Sequence, residues 1–134
     1  MTTYYLDTCI WIDYWEERGS NGERACQLIK KVLLENSLVL YSDLHVEELK
    51  HRGYTIDKIH KIFSICKPHH LRHVHMTKQQ VIEMQHIATQ MHIPKGDVLH
   101  AILARDNHAQ CVTHDSYFHR LRDITLAKTP RELL

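Results

Sequence analysis

Glycine is scarce, at 4 in 134 residues, and no glycine-rich loop of the kind that cradles nucleotide phosphates is present. No G-x-S-x-G elbow occurs either, which disfavours a Ser–His–Asp hydrolase. The four cysteines, Cys9, Cys26, Cys66 and Cys111, are widely spaced, and none forms a C-x-x-C pair. That argues against a zinc knuckle and a thioredoxin-like redox site, and they read as reduced packing residues. No apolar run approaches the roughly eighteen residues of a membrane span. The opening MTTYYLDTC lacks the basic-then-apolar pattern of an export signal, so the expected setting is soluble and cytoplasmic, with no membrane contact. Net charge is +1, from 17 basic and 16 acidic residues, so no global field draws the chain to nucleic acid, and any polyanion contact must be local. Internal repeats, linkers and low-complexity segments are absent.

What is present is ordinary globular composition, 43% hydrophobic and 25% charged, in a length that predicts one domain over residues 1–134. TYYL reads as a short strand, followed by a helical region that GSNG, Gly19 to Gly22, is expected to break. Between Glu23 and Glu35, Ala25, Leu28, Ile29, Val32 and Leu33 recur at helical spacing. LVLY (38–41) is the next strand, and helices are predicted from Leu44 to Arg52 and around Ile56 to Phe63. HHLRHVHM holds a short or edge strand. Lys78 to His92 carries an apolar helical face, and DVLHAILARDNHA reads as a central helix. QCVT is a strand, DITLA a candidate last strand, and Pro130 starts a terminal helix. Strands separated by helices predict an α/β fold: one three-layer α/β/α domain around a central, mainly parallel sheet.

Four acids then stand out. Ligands of open α/β sheets bind beyond the carboxyl ends of the strands, and Asp7 ends the first strand while Asp115 follows QCVT. Asp97 opens the central helix, where the helix dipole favours an anion. Glu48 lies in the second turn of the helix leaving LVLY. Singly, Asp97 is an ordinary N-cap, Asp115 a turn residue and Glu48 a solvated helix residue. Together they would repel by roughly 3 kcal/mol per close pair at an effective dielectric of about 20. A hard divalent cation, Mg2+ or Mn2+, would remove that repulsion.

At this point LDTC (6–9), SDLHVEEL (42–49), GDVLHAILA (96–104) and VTHDSYF (112–118) resemble the successive motifs of PIN-domain ribonucleases, particularly small stand-alone VapC-like toxins. The most specific parts are the D-x-x-x-A-x-x-A run from Asp97 to Ala104 and the T-x-D-x-x-F pattern from Thr113 to Phe118. The resemblance implies that Asp7, Glu48, Asp97 and Asp115 are catalytic and hold one or two Mg2+ or Mn2+ ions. It implies endonucleolytic hydrolysis of RNA leaving a 5′-phosphate, homodimerisation, and an antitoxin partner if the chain is the toxin of a type II pair. A catalytic domain occupying the whole chain would be regulated by another protein. Glu48 rather than Glu47 is expected as the second acid, because the family acid precedes a leucine and Glu48 lies about 40° from Leu44 on the helical wheel. Thr8 and Thr113 are candidates to orient ligands or water.

Among 13 histidines, His73 and His75 would share one strand face and could bind zinc, but no further ligands stand at a known spacing. Surface histidines on a weakly basic edge are the better reading. His114, His119, Lys95, Arg120 and Arg122 are better placed to touch RNA. A haloacid-dehalogenase reading of Asp7-Thr8-Cys9 fails because Cys9 stands where a second aspartate is needed. The remaining alternatives are a PIN nuclease of RNA processing, or a non-catalytic RNA- or protein-binding module of the same fold.

Overall fold

The computed structural model describes residues 2–134. Its elements run β1 (Thr3–Leu6), α1 (Thr8–Glu16), α2 (Gly19–Leu34), β2 (Leu38–Ser42), α3 (Asp43–His51), α4 (Ile56–Ser64), β3 (Leu71–Val74), α5 (Lys78–Met91), α6 (Lys95–Asp106), β4 (Gln110–Val112), a 3-10 helix (Ser116–Leu121) and α7 (Pro130–Leu133). The four strands form one all-parallel sheet in the order β3-β2-β1-β4.

The strands alternate their buried side chains between two cores. Tyr4 and Leu6 of β1, Val39 of β2 and Val112 of β4 pack with Ile10, Trp11, Leu28, Ile29, Leu49, Ile62 and Phe63 from α1 to α4. Tyr5, Leu40 and Cys111 face the other way, onto Met84 and Ala88 of α5 and Val98, Leu99, Ala101 and Ile102 of α6. Residues 98–104 of α6 are all buried, which makes this helix central as its composition predicts. Ile59, Ile62 and Phe63 of α4 and Met84 and Ala88 of α5 are taken up by these cores, while Ile56 and Ile82 stay exposed.

Two boundaries differ from the sequence reading. GSNG is the first turn of α2 and not a break. The chain reverses earlier, at Glu17, whose left-handed backbone (φ 53°) caps α1 through its N–H to the Asp13 carbonyl. Gly22 is needed inside the helix because an added Cβ would meet the Asp13 carbonyl oxygen and Glu17 backbone at 2.7 Å. DITLA forms no strand; only Lys128 bridges Val112 beside β4. Ile124 is part of a turn whose N–H groups bond back to Leu121, so the local helical turn wins over the β-branched propensity.

Because every strand is parallel, all carboxyl ends share one edge. The chain leaves β1 towards β2 on one side, and β4 returns on the other. The crevice between β1 and β4 is therefore a topological switch point.

Candidate metal centre

Asp7 follows β1 directly and stays 6% exposed. It is both a helix cap and a buried carboxylate: Oδ1 accepts the Thr8 N–H at 2.7 Å, and Oδ2 accepts the Thr113 hydroxyl at 2.7 Å and the Cys9 thiol at 3.4 Å. Thr113 in turn accepts the Asp115 N–H at 3.0 Å, tying together the loops after β1 and β4. Asp115 caps the 3-10 helix through Tyr117 N–H at 2.9 Å.

Glu48 projects inward from α3, one position before the fully buried Leu49. Its Oε1 accepts the Thr8 hydroxyl at 2.6 Å and lies 2.6 Å from His100 Nε2. Glu47 points out, exposed, with Lys50 3.8 Å away. The N-terminus of α6 closes on Glu48 because residue 96 is glycine: a Cβ there would stand 2.7 Å from Glu48 Oε2.

Asp97, in the first turn of α6, is half-buried against Asp115. Burial, a hydrogen bond with Asp115 and the charges of Asp115 and Asp7 push its carboxyl up to about 7. Two carboxyls that close share a proton readily when no cation separates them.

The sequence reading passed over His100. It is fully buried, one turn beyond Asp97 on α6, with Nε2 3.6 Å from Asp7 Oδ1 as well as against Glu48. Burial opposes its protonation, but the hydrogen bond to Glu48 and the surrounding carboxylates outweigh it, and its pKa moves up. Burial likewise pushes Glu48 up, yet the His100 and Thr8 bonds prevail and hold it at about 2. Both directions describe one ion pair. On its other side His100 Nδ1 meets the Tyr5 hydroxyl at 2.6 Å, which is 3.1 Å from Ser42 Oγ. Below it, His45 Nδ1 accepts the Ser42 N–H at 2.9 Å, and its Nε2 donates to the Leu6 carbonyl at 2.6 Å. Burial and the neighbouring His100 hold His45 down at about 3, so it is neutral. The i, i+3 spacing from Asp97 was the available signal for His100, but it stands inside an apolar run.

Asp7, Glu48, Asp97 and Asp115 line one cleft of about 330 Å3, with His51 and Arg52 also on its wall. Among the described residues no lysine or arginine lies within ion-pair distance of the four. His100 offsets one charge of Asp7 and Glu48, and Asp97 with Asp115 has no such partner. Four carboxylates, with the one nearby imidazole, His100, engaged by Glu48, make an oxygen-rich, net-negative donor set that fits a hard divalent cation. An adjoining hollow shares Asp115 with the cleft and is lined by Thr113, His114, His119, Arg122 and Lys128, giving the acidic cleft a basic flank. Of the RNA-contact candidates, Arg120 is committed elsewhere, donating to the Met91 carbonyl at 2.6 Å. His114 lies beside Asp13 at 3.8 Å.

A parallel sheet with acids at its switch point defines a class, and the family model of the PIN domain matches residues 4–124. The chain belongs to the PIN-domain family, whose members are generally nucleases. Its fold is similar to a chain of the crystal structure of VapBC2 from Rickettsia felis bound to a DNA fragment from their promoter, with TM-score 0.71 and 16% identity over 96% of this chain and 98% of that one. It is also similar to a chain of FitAcB from Neisseria gonorrhoeae, with TM-score 0.64 and 18% identity over the same shares. No curated protein matches the sequence significantly. Among the described residues no helix is long and apolar enough to cross a membrane.

Proposed function

We propose that the protein is a Mg2+- or Mn2+-dependent endoribonuclease, the toxin of a type II toxin–antitoxin pair, acting in the cytoplasm. The observation that carries the catalytic reading is the convergence of four carboxylates, without lysine or arginine partners among the described residues, on the switch point of a PIN fold. Asp7, Glu48, Asp97 and Asp115 would hold the metal, which when bound lowers the pKa of water and offsets charge on the phosphodiester.

The chain's own groups prepare that site. The Thr113 and Thr8 hydroxyls fix Asp7 and Glu48 by one hydrogen bond each. His100 holds Glu48 ionised. The helix α6 directs its N-terminus at the cleft, favouring anionic groups there. His119, Arg122 and Lys128 on one flank and Arg52 on the other supply the local positive charge that the +1 total does not, so a phosphate backbone can cross the acids between them. Likeness in fold to chains of VapBC2 and FitAcB supports the toxin role and an antitoxin partner; homodimerisation is part of the same reading.

End-labelled single-stranded RNA incubated with the purified protein tests this. Cleavage should require Mg2+ or Mn2+, stop with chelator and leave 5′-phosphate ends. Glu48→Gln should lower the rate by at least about a hundredfold, a loss of roughly 2.7 kcal/mol of transition-state stabilisation, while Glu47→Gln retains most of it. Metal-independent cleavage, or the reverse ranking of the glutamates, would overturn the assignment. Co-purification with the product of the adjacent gene tests the toxin role.

A further inference from the structure

Away from the acidic cleft, at the β3 edge of the sheet, Asp43, His73 and His75 come together. His73 pairs in register with Tyr41 of β2, and its ring rests against the Tyr41 ring, with centroids 4.8 Å apart. His75, two residues on, falls on the same side, and its ring centroid is 4.4 Å from that of His73. Asp43 arrives from a different element, as the first residue of α3, and its Oδ1 lies 2.8 Å from His73 Nε2. One donor atom from each of the three lies within 4.8 Å of the others. Ligands of a tetrahedral ion at about 2.0–2.1 Å stand about 3.3 Å apart. Asp43 and His75 are exposed, so rotation of surface side chains can close the remaining gap without moving the core.

The third ligand that the strand alone lacks is thus supplied by α3, thirty residues earlier. We propose that Asp43, His73 and His75 form a second metal site, specific for a borderline transition-metal ion such as Zn2+ and leaving a fourth position open to solvent. Two imidazoles and one carboxylate prefer Zn2+ over Mg2+, whereas the cleft offers four carboxylates and one imidazole, His100, already engaged by Glu48, and is the better match for Mg2+. The chain therefore sorts metals by donor type. The site joins the edge strand β3 to the first turn of α3, the helix that carries Glu48 five residues further on. It stands independently of the nuclease reading.

Isothermal titration of tag-free, chelator-stripped protein with ZnCl2 tests it, with 5 mM-scale Mg2+ present (about a physiological excess) to occupy the acidic cleft. One Zn2+ per chain should bind to the wild type, to Glu48→Gln and to His69→Gln. His73→Gln and His75→Gln should each weaken that binding by at least about tenfold. Co2+ added in place of Zn2+ gives a second readout: its visible absorption should be that of a four-coordinate nitrogen–oxygen site, and it should vanish in His75→Gln, an exposed change that leaves the fold intact. Absence of Zn2+ binding would overturn the proposal, as would binding unchanged in both histidine variants or abolished by Glu48→Gln alone.

Discussion

Asp97 shows most directly what the unneutralised site costs the metal-free protein. Burial and Asp115 push its carboxyl up to about 7, while in the unfolded chain it titrates near 3.9. Below about pH 4 both states are protonated and the group contributes nothing. Between about 4 and 7 the folded state retains a proton that the unfolded state has released, so stability falls as pH rises and stays reduced above about 7. His45, held at about 3, acts in the opposite direction, since its unfolded form takes up a proton as pH falls below about 6.5. The difference between wild type and Asp97→Asn cancels the His45 contribution. The variant should be the more stable apo protein by about 1 to 3 kcal/mol at pH 7.5, with the gap closing towards pH 4. Urea melts across that range measure it. An equal stability at all pH values would leave Asp97 an ordinary first-turn residue of α6, whose N-cap is Pro94 and not Asp97 as the sequence suggests, with no repulsion to relieve.

At the scale of elements, two glycines set how closely helices approach. Gly96 lets the start of α6 meet the Glu48 carboxylate, with 2.7 Å left for a Cβ. Gly96→Ala should displace that carboxylate from Thr8 and His100 while leaving α6 folded; we expect RNA cleavage to fall at least about tenfold, or 1.4 kcal/mol, with less than about 1 kcal/mol lost in thermal stability, because alanine favours helix. Gly22 faces the backbone of Asp13 and Glu17 instead, which cannot yield as a side chain can. Gly22→Ala should therefore destabilise the chain by about 1 to 3 kcal/mol through a forced shift of α2 against α1, and leave the catalytic rate of the folded fraction unchanged. Paired melting and activity measurements separate the two cases.

Across the whole molecule, the two cores clamp the sheet from both faces, and the acids stand where α1, α3, α6 and the 3-10 helix leave its carboxyl edge. Under the proposed function, a metal held there would couple four elements that are separated in sequence. Mg2+ should raise the melting temperature of the wild type by mass action, about 2.7 kcal/mol at a hundredfold excess over its dissociation constant. It should raise that of Asp97→Asn far less. Equal shifts in scanning calorimetry would place Mg2+ somewhere other than the cleft.

The sequence by itself determined the class of fold and the four acids that converge at the edge of its sheet. Short β-rich runs alternating with helical periodicity require a parallel sheet between helices, and Asp7, Asp97 and Asp115 stand out because an acid at a strand end or helix start interrupts an apolar pattern. Helix phase was enough to separate Glu48 from Glu47. Local signals misplaced the α1–α2 reversal, because Gly22 answers to the backbone of another helix and not to a turn of its own. The tertiary structure alone decided that His100 pairs with Glu48 across 52 residues and that Asp43 joins His73 across 30. Neither pairing has a periodicity to read: histidine is equally at home in a helix interior and on a strand face, and its role is set by which carboxylate the packing brings within hydrogen-bond distance.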